Sequence, residues 1–193
     1  MEAKSDRRVV MTKRLLKDAL IELMREKPLH AISIKRICET ADVNRSTFYN
    51  HYDTQYALYD DILNDVSHDI GEIIKRANDG GVNALAVLTD IFQYAEDNRE
   101  LFLVILGTNS NLNLGEVFTN NVDKFLKKEI NSELYHYCTQ FIAAGTANIM
   151  WIWLNEEKRR SAKEVATIIY AMMVFGIKKA AHFAGYGSLP LLK

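Results

Sequence analysis

The chain has 193 residues, enough for one large domain or two small ones, and 48% of them are hydrophobic, ample for a buried core. Only two prolines and nine glycines interrupt it, which predicts that almost everything is helix. The two cysteines, Cys38 and Cys138, fall in different predicted helices, which argues against a disulfide framework and suits a reducing compartment. The net charge of -1 hides an asymmetry. Residues 1–52 carry 11 Lys/Arg against 7 Asp/Glu, and residues 53–193 carry 13 against 18. A basic head on an acidic body fits a nucleic-acid contact confined to one end.

No basic-then-apolar secretory signal opens the chain. Residues 1–8 are polar and charged and read as a solvated tail, in which Lys4, Arg7 and Arg8 could reach a DNA backbone. The first helix is expected from about Thr12 to Lys27, with Leu16, Ala19, Leu20 and Leu23 on its apolar stripe and Pro28 ending it. Residues 33–52 then read as two short helices joined by a tight turn. Ile34, Ile37 and Ala41 form one stripe, and Ser33 is placed to cap the first helix. Asn44 is placed to cap the second, and Phe48 and Tyr52, four apart, pack it back on the first. The outward face is Arg45, Ser46, Thr47, Tyr49, Asn50 and His51, a set of donors, acceptors and a ring short enough to meet base edges and phosphates. That is the arrangement of a helix-turn-helix with a recognition helix.

A long helix is expected from Gln55 to about Ala77, with Leu58, Ile62, Val66, Ile70, Ile73 and Ile74 apolar. Asn78-Asp79-Gly80-Gly81 stops it and marks a boundary. Further helices are expected over 83–98, over 99–107 as a short apolar turn or helix, and over 116–130 after an Asn-rich loop. Two more follow over 133–155 and from Ser161 or Ala162 to about Ala184, separated by the charged turn 156–160. The segment Leu134–Leu154 has no Lys, Arg, Asp or Glu and is long enough to span a bilayer. Its His136, Thr139, Gln140, Thr146 and Asn148 oppose insertion, and a helix apolar on every side also suits a buried dimer seam. Ala143, Ala144, Gly145 and Ala147 would let a second helix approach, so Ala147→Glu is expected to split such a seam. The expected division is 1–54, a connecting helix 55–78, and 79–193.

Thr-Phe-Tyr-Asn-His-Tyr-Asp at 47–53, after the Ile-Lys-Arg-Ile-Cys helix and the Ala-Asp-Val turn, resembles the DNA-binding domain of TetR/AcrR-type transcriptional regulators, over about Val9 to Val66. The resemblance implies an all-α homodimer, with a three-helix DNA-binding domain and a larger helical effector-binding and dimerisation domain. It implies DNA contacts from Ser33, Lys35, Arg45, Ser46, Thr47, Tyr49, Asn50, His51 and Gln55. It also implies that the helices at 137–155 and 162–184 pair with their twins. Two positions depart from the family pattern. Asp42 stands where the turn usually has Gly, and Gln55 stands where a phosphate-touching Lys is usual. Residues 144–154 further resemble a C-terminal domain of TetR-type regulators from Gram-positive bacteria.

No catalytic or metal constellation is present in the sequence: no Gly-rich phosphate loop, His-Glu-x-x-His, Cys-x-x-Cys or Gly-x-Ser-x-Gly, and five histidines without metal spacing. The chain therefore reads as neither an enzyme nor a cofactor or metal carrier. Phe92, Phe102, Phe118, Phe125, Phe141, Trp151 and Phe175, with Gln140, Asn148 and His182 as polar anchors, are candidates for a pocket taking a small apolar or neutral effector, although for any one of them an ordinary core role is the commoner reading. Three readings follow. One is a cytoplasmic repressor of operator DNA released by such an effector. The second is a regulator whose C-terminal domain binds a protein partner. The third, an enzyme or stress protein with a vestigial helix-turn-helix, is disfavoured by the outward set at 45–51.

Overall fold

The computed structural model describes residues 2–79, 83–107 and 132–183, with side chains over 7–76, 83–107 and 137–176. Among these residues there are eight α-helices and no strand. They are α1 (Glu2–Met24), α2 (Ile34–Ala41), α3 (Arg45–Tyr49), α4 (Gln55–Asp79), α5 (Ala84–Asp97), α6 (Arg99–Gly107), α7 (Ser132–Asn155) and α8 (Ala162–Phe183). A 3-10 turn, Leu29–Ala31, joins α1 to α2. The helix expected over 116–130 lies outside the described residues.

The chain divides into two compact units, Met1–Val66 and Ser67–Lys193. The boundary falls inside α4, within the stretch 55–78 expected to connect the two ends of the chain. The cause is visible in how α4 is held. Asp61 and Asp65 on its first half bind lysines of α1, at 3.0 and 2.5 Å from the Lys17 ammonium. Asp69 on its second half accepts from the Tyr94 hydroxyl of α5 at 2.7 Å.

In the first unit α1 begins at Glu2, ten residues before the expected Thr12. Nothing between Glu2 and Thr12 is Gly or Pro, so charge alone does not end a helix there. Leu16, Leu20, Ile37, Phe48 and Leu58 are fully enclosed and form the core beneath the helix-turn-helix. Burying each large side chain of this kind is worth about 1.5–3 kcal/mol.

In the second unit α5 packs on α8, and α6 on α7. Ile70, Phe92, Phe102, Ile105, Met150 and Leu154 are enclosed there. The turn between α7 and α8 is fastened by polar bonds. Trp153 donates its indole N–H to the Arg160 carbonyl at 2.8 Å, and Arg99 donates to the Leu154 carbonyl at 2.9 Å. Ser161 and Glu164 form a reciprocal cap at the start of α8: Glu164 accepts from the Ser161 backbone N–H at 2.9 Å, and Ser161 Oγ accepts from the Glu164 N–H at 3.3 Å. The Ser161 hydroxyl, which also donates to the Glu164 carboxylate at 2.7 Å, and then the Ser161 backbone N–H hold that carboxyl below its ordinary range.

Among the described residues no helix is long and apolar enough to cross a membrane. Eight described residues of α7 are buried (Thr139, Ile142, Ala143, Thr146, Ala147, Met150, Trp153 and Leu154), whereas Tyr137, Phe141, Trp151 and Ile152 are exposed. Ala147 is only 2% exposed, so it belongs to the interior of the protomer. A glutamate there would break the fold, and Ala147→Glu is not the probe of a seam that the sequence suggested.

Candidate nucleic-acid interface

The helix-turn-helix is built by local rules that hold in the structure. Ser33 Oγ accepts from the Arg36 N–H at 3.3 Å and caps α2. Asp42 ends α2 in the left-handed region, at φ 52° and ψ 45°. A side chain there costs energy, but Asp tolerates the region better than most residues, so the turn forms without the usual Gly. Asn44 occupies the cap position of α3, yet its side chain accepts no capping bond, contrary to expectation. The backbone carbonyl of Asn44 takes the N–H of Thr47 at 2.9 Å and of Phe48 at 3.1 Å instead.

Phe48 and Tyr52 turn inward, at 0% and 5% exposure, with ring centroids 5.8 Å apart. The opposite face therefore carries the polar set. Arg45, Ser46, Tyr49 and Asn50 are exposed, and Thr47 and His51 are half-buried beside them. Tyr49 presents 53% of its surface while its ring stands edge-on to Phe48. Ser33 and Lys35 are exposed at the start of α2, and Lys35 lies 3.7 Å from Glu39 one turn on. Gln55 is half-buried in the first turn of α4, which Thr54 caps through the Ala57 N–H at 3.1 Å. The first unit thus holds all nine expected DNA-contact residues outside its core.

One cluster was not foreseen. Tyr52 donates its hydroxyl to Asp61 Oδ2 at 2.6 Å, and the Lys17 and Lys13 ammonium groups lie 3.0 and 3.4 Å from the same oxygen. Burial works against the Asp61 carboxylate, but the Tyr52 hydrogen bond and the lysines outweigh it and hold its pKa below the ordinary value. Burial and the Asp61 bond push the Tyr52 phenol well above its ordinary value. The sequence did carry a signal. Lys13/Lys17 and Asp61/Asp65 are both spaced four apart, so each pair shares one helix face.

The described members of the expected effector set fall in two kinds of place, enclosed core and the exposed side of α7. Phe92 is fully buried against Trp153, with centroids 5.4 Å apart, and Phe102 is buried edge-on to Tyr94 at 5.6 Å. Gln140, Phe141, Asn148 and Trp151 lie on the exposed side of α7. Phe118 and Phe125 lie outside the described residues. A cavity of about 470 Å³ between α7 and α8 is an open apolar groove, lined in part by Phe141, Ile149, Met172 and Met173.

A two-unit all-helical chain with a helix-turn-helix in its first unit has the architecture of a DNA-binding regulator. Residues 16–62 match the family described as bacterial regulatory proteins, tetR family, and residues 83–174 match the transcriptional regulator C-terminal region. The chain belongs to the TetR family and is a DNA-binding transcriptional regulator, not an enzyme. It is 26% identical over 132 residues to the dhaKLM operon transcriptional activator DhaS of Lactococcus lactis, covering 66% of this chain and 67% of that one. It is also 27% identical over 172 residues to the HTH-type regulator YxbF of Bacillus subtilis, spanning 82% of this chain but only 43% of that longer protein. A TetR regulator from Streptococcus agalactiae shares the fold at a TM-score of 0.68 and 21% identity, covering 90% of this chain and 99% of that chain. Thermus thermophilus FadR, a TetR-family repressor solved with lauroyl-CoA, shares it at 0.54 and 16% identity, covering 85% and 94%.

Proposed function

We propose that this protein is a cytoplasmic, homodimeric repressor that reads operator DNA with α3 and leaves it when a small apolar or neutral effector binds the second unit. The observation that carries DNA reading is the outward polar face of Arg45, Ser46, Tyr49 and Asn50, with Thr47 and His51 half-buried at its edge, backed by the enclosed Phe48 and Tyr52. Arg45 and Thr47 suit base edges, Tyr49 a thymine methyl, and His51, Ser33, Lys35 and Gln55 the phosphates.

Dimerisation is supported by the exposed apolar side of α7 and α8. Phe141 is 77% exposed, Phe175 66% and Met172 59%. A face this apolar is rarely left in water. Gly145 and Gly176 have open space where a Cβ would stand, which suits close approach of a second helix. Two readers held by one seam fit DNA when their separation matches successive major grooves, about 34–36 Å.

The effector is supported by the family and, in FadR, by an acyl-CoA ligand of that protein. In this reading it enters the second unit and presses on the second half of α4, near Ile70 and Ile74, which swings the readers out of register. It must bind the DNA-free form better, because it shifts the equilibrium only by that difference. A second reading has its own observation. Phe92 and Phe102 are enclosed against Trp153 and Tyr94, and the relative DhaS is an activator, which supports a second unit that answers to a protein partner.

The test is selection of bound duplexes from random DNA, followed by footprinting. The expected result is one two-fold-symmetric site with half-sites a helical turn apart. Recovery of no preferred sequence would refute specific DNA reading.

A further inference from the structure

The recognition helix is too short to hold its own orientation. α3 has five residues, far below the length at which a helix is stable alone. Its cap residue supplies no side-chain bond. Phe48 anchors it at 0% exposure, but apolar burial is non-directional and fixes depth better than angle. The directional contact sits at the other end. The Tyr52 N–H bonds the Phe48 carbonyl at 2.9 Å, so Tyr52 continues the turn that carries Tyr49 and His51. Its ring lies under the Lys13 ammonium, 5.3 Å from the centroid, and its hydroxyl donates to Asp61 Oδ2 at 2.6 Å. That same oxygen lies within 3.0 Å of the Lys17 ammonium, which also grips Asp65 at 2.5 Å. One carboxylate oxygen therefore joins the end of the reader to both α1 and α4, through charge-assisted bonds that are short and angle-dependent.

We infer that Asp61, acting through Tyr52 and Lys17, is a positioning residue for DNA recognition that sets the angle at which α3 presents Arg45, Thr47 and Tyr49 to the bases. None of the three latch residues touches DNA in this account. Base readout needs side chains held to about 0.5 Å, whereas attraction to the phosphate backbone tolerates a tilted helix. Loosening the latch thus lowers specificity and leaves general DNA affinity intact, a split that loss of folded protein cannot produce.

The inference rests on the DNA-reading proposal above. The experiment uses the full-length protein and a duplex that the wild type selects from random DNA, with a scrambled duplex of equal length measured at the same salt. Tyr52→Phe keeps ring, volume and net charge and removes only the hydroxyl; Asp61→Asn removes the carboxylate. Tyr52→Phe is expected to weaken the selected duplex on the order of tenfold while the scrambled duplex moves less than about twofold. Asp61→Asn should lose at least as much on the selected duplex, because it also removes the charge that Lys17 and Lys13 share, and the double variant should lose less than the sum of the two single losses, since both changes act on the Tyr52–Asp61 bond. Backbone amide resonances of residues 45–51 should shift in Tyr52→Phe. Because Asp61→Asn risks unfolding, Tyr52→Phe decides alone if it does. Equal losses on both duplexes, or no loss on the selected one, would overturn the latch. A wild type that selects no duplex would instead overturn the DNA reading itself.

Discussion

The exposed side of α7 makes the proposed dimer seam testable at one residue. Phe141 shows 77% of its surface in the protomer. Fully burying a phenylalanine is worth about 2–3 kcal/mol, so covering what Phe141 exposes recovers roughly 2 kcal/mol. A two-fold interface uses each patch twice, which brings the sum to roughly 4 kcal/mol per dimer. Phe141→Glu forfeits that and adds the cost of taking a charge out of water. The dimer dissociation constant should rise at least about a thousandfold. Sedimentation velocity across a dilution series reads this directly. The variant should sediment as a folded monomer whose helix content matches the wild type, because Phe141 projects from the protomer. Ala147→Glu, at a site 2% exposed, should instead unfold the second unit. A wild type that stays monomeric, or a Phe141→Glu dimer as tight as wild type, would refute the seam.

Tyr49→Ala should weaken operator binding by about 1–3 kcal/mol with folding intact, measured by fluorescence anisotropy. Unchanged affinity would remove Tyr49 from the interface. Gln55→Lys should tighten binding to every sequence and steepen the salt slope by about 0.9 per half-site, and a flat response would show that Gln55 does not face the phosphates. Asp61 has a depressed folded-state pKa, so it contributes stability above its unfolded value that is lost as pH falls through the folded one. Lys17 is raised despite burial, because Asp65 and Asp61 hold its charge, so its contribution is present below its unfolded value and is lost at alkaline pH. Asp61→Asn should therefore flatten the acid side of a denaturation curve followed against pH, and an acid limb identical to wild type would contradict the pairing. Cross-linking the two readers through single cysteines at the DNA-competent spacing should let effector bind more weakly without releasing DNA. Release from the locked dimer would exclude the α4 lever.

The sequence by itself determined most of the described helices and the helix-turn-helix, because both are written in local chemistry. Spacings of three and four residues placed Ile37, Ala41, Phe48 and Tyr52 inside, and Ser33 capped α2 as its position predicted. Asp42 turned left-handed where the motif requires it. The absence of Gly and Pro before Thr12 was local information too, but the charged residues masked it and α1 came out longer than expected. Tertiary structure alone decided which side of α7 faces inward. That helix is apolar nearly all round, so its periodicity has no phase to read, and only the packing of α6 and α8 placed Ala147 inside and Phe141 outside. The Asp61 latch also needed the fold. It joins residues 44 positions apart in Lys17 and Asp61, and a lysine pair and an aspartate pair on separate helices state complementary charge without saying that they meet. The same limit applied to Phe92 and Phe102. Aromatic residues build pocket walls and cores alike, and what separates the two is whether a neighbour such as Trp153 or Tyr94 already fills the space.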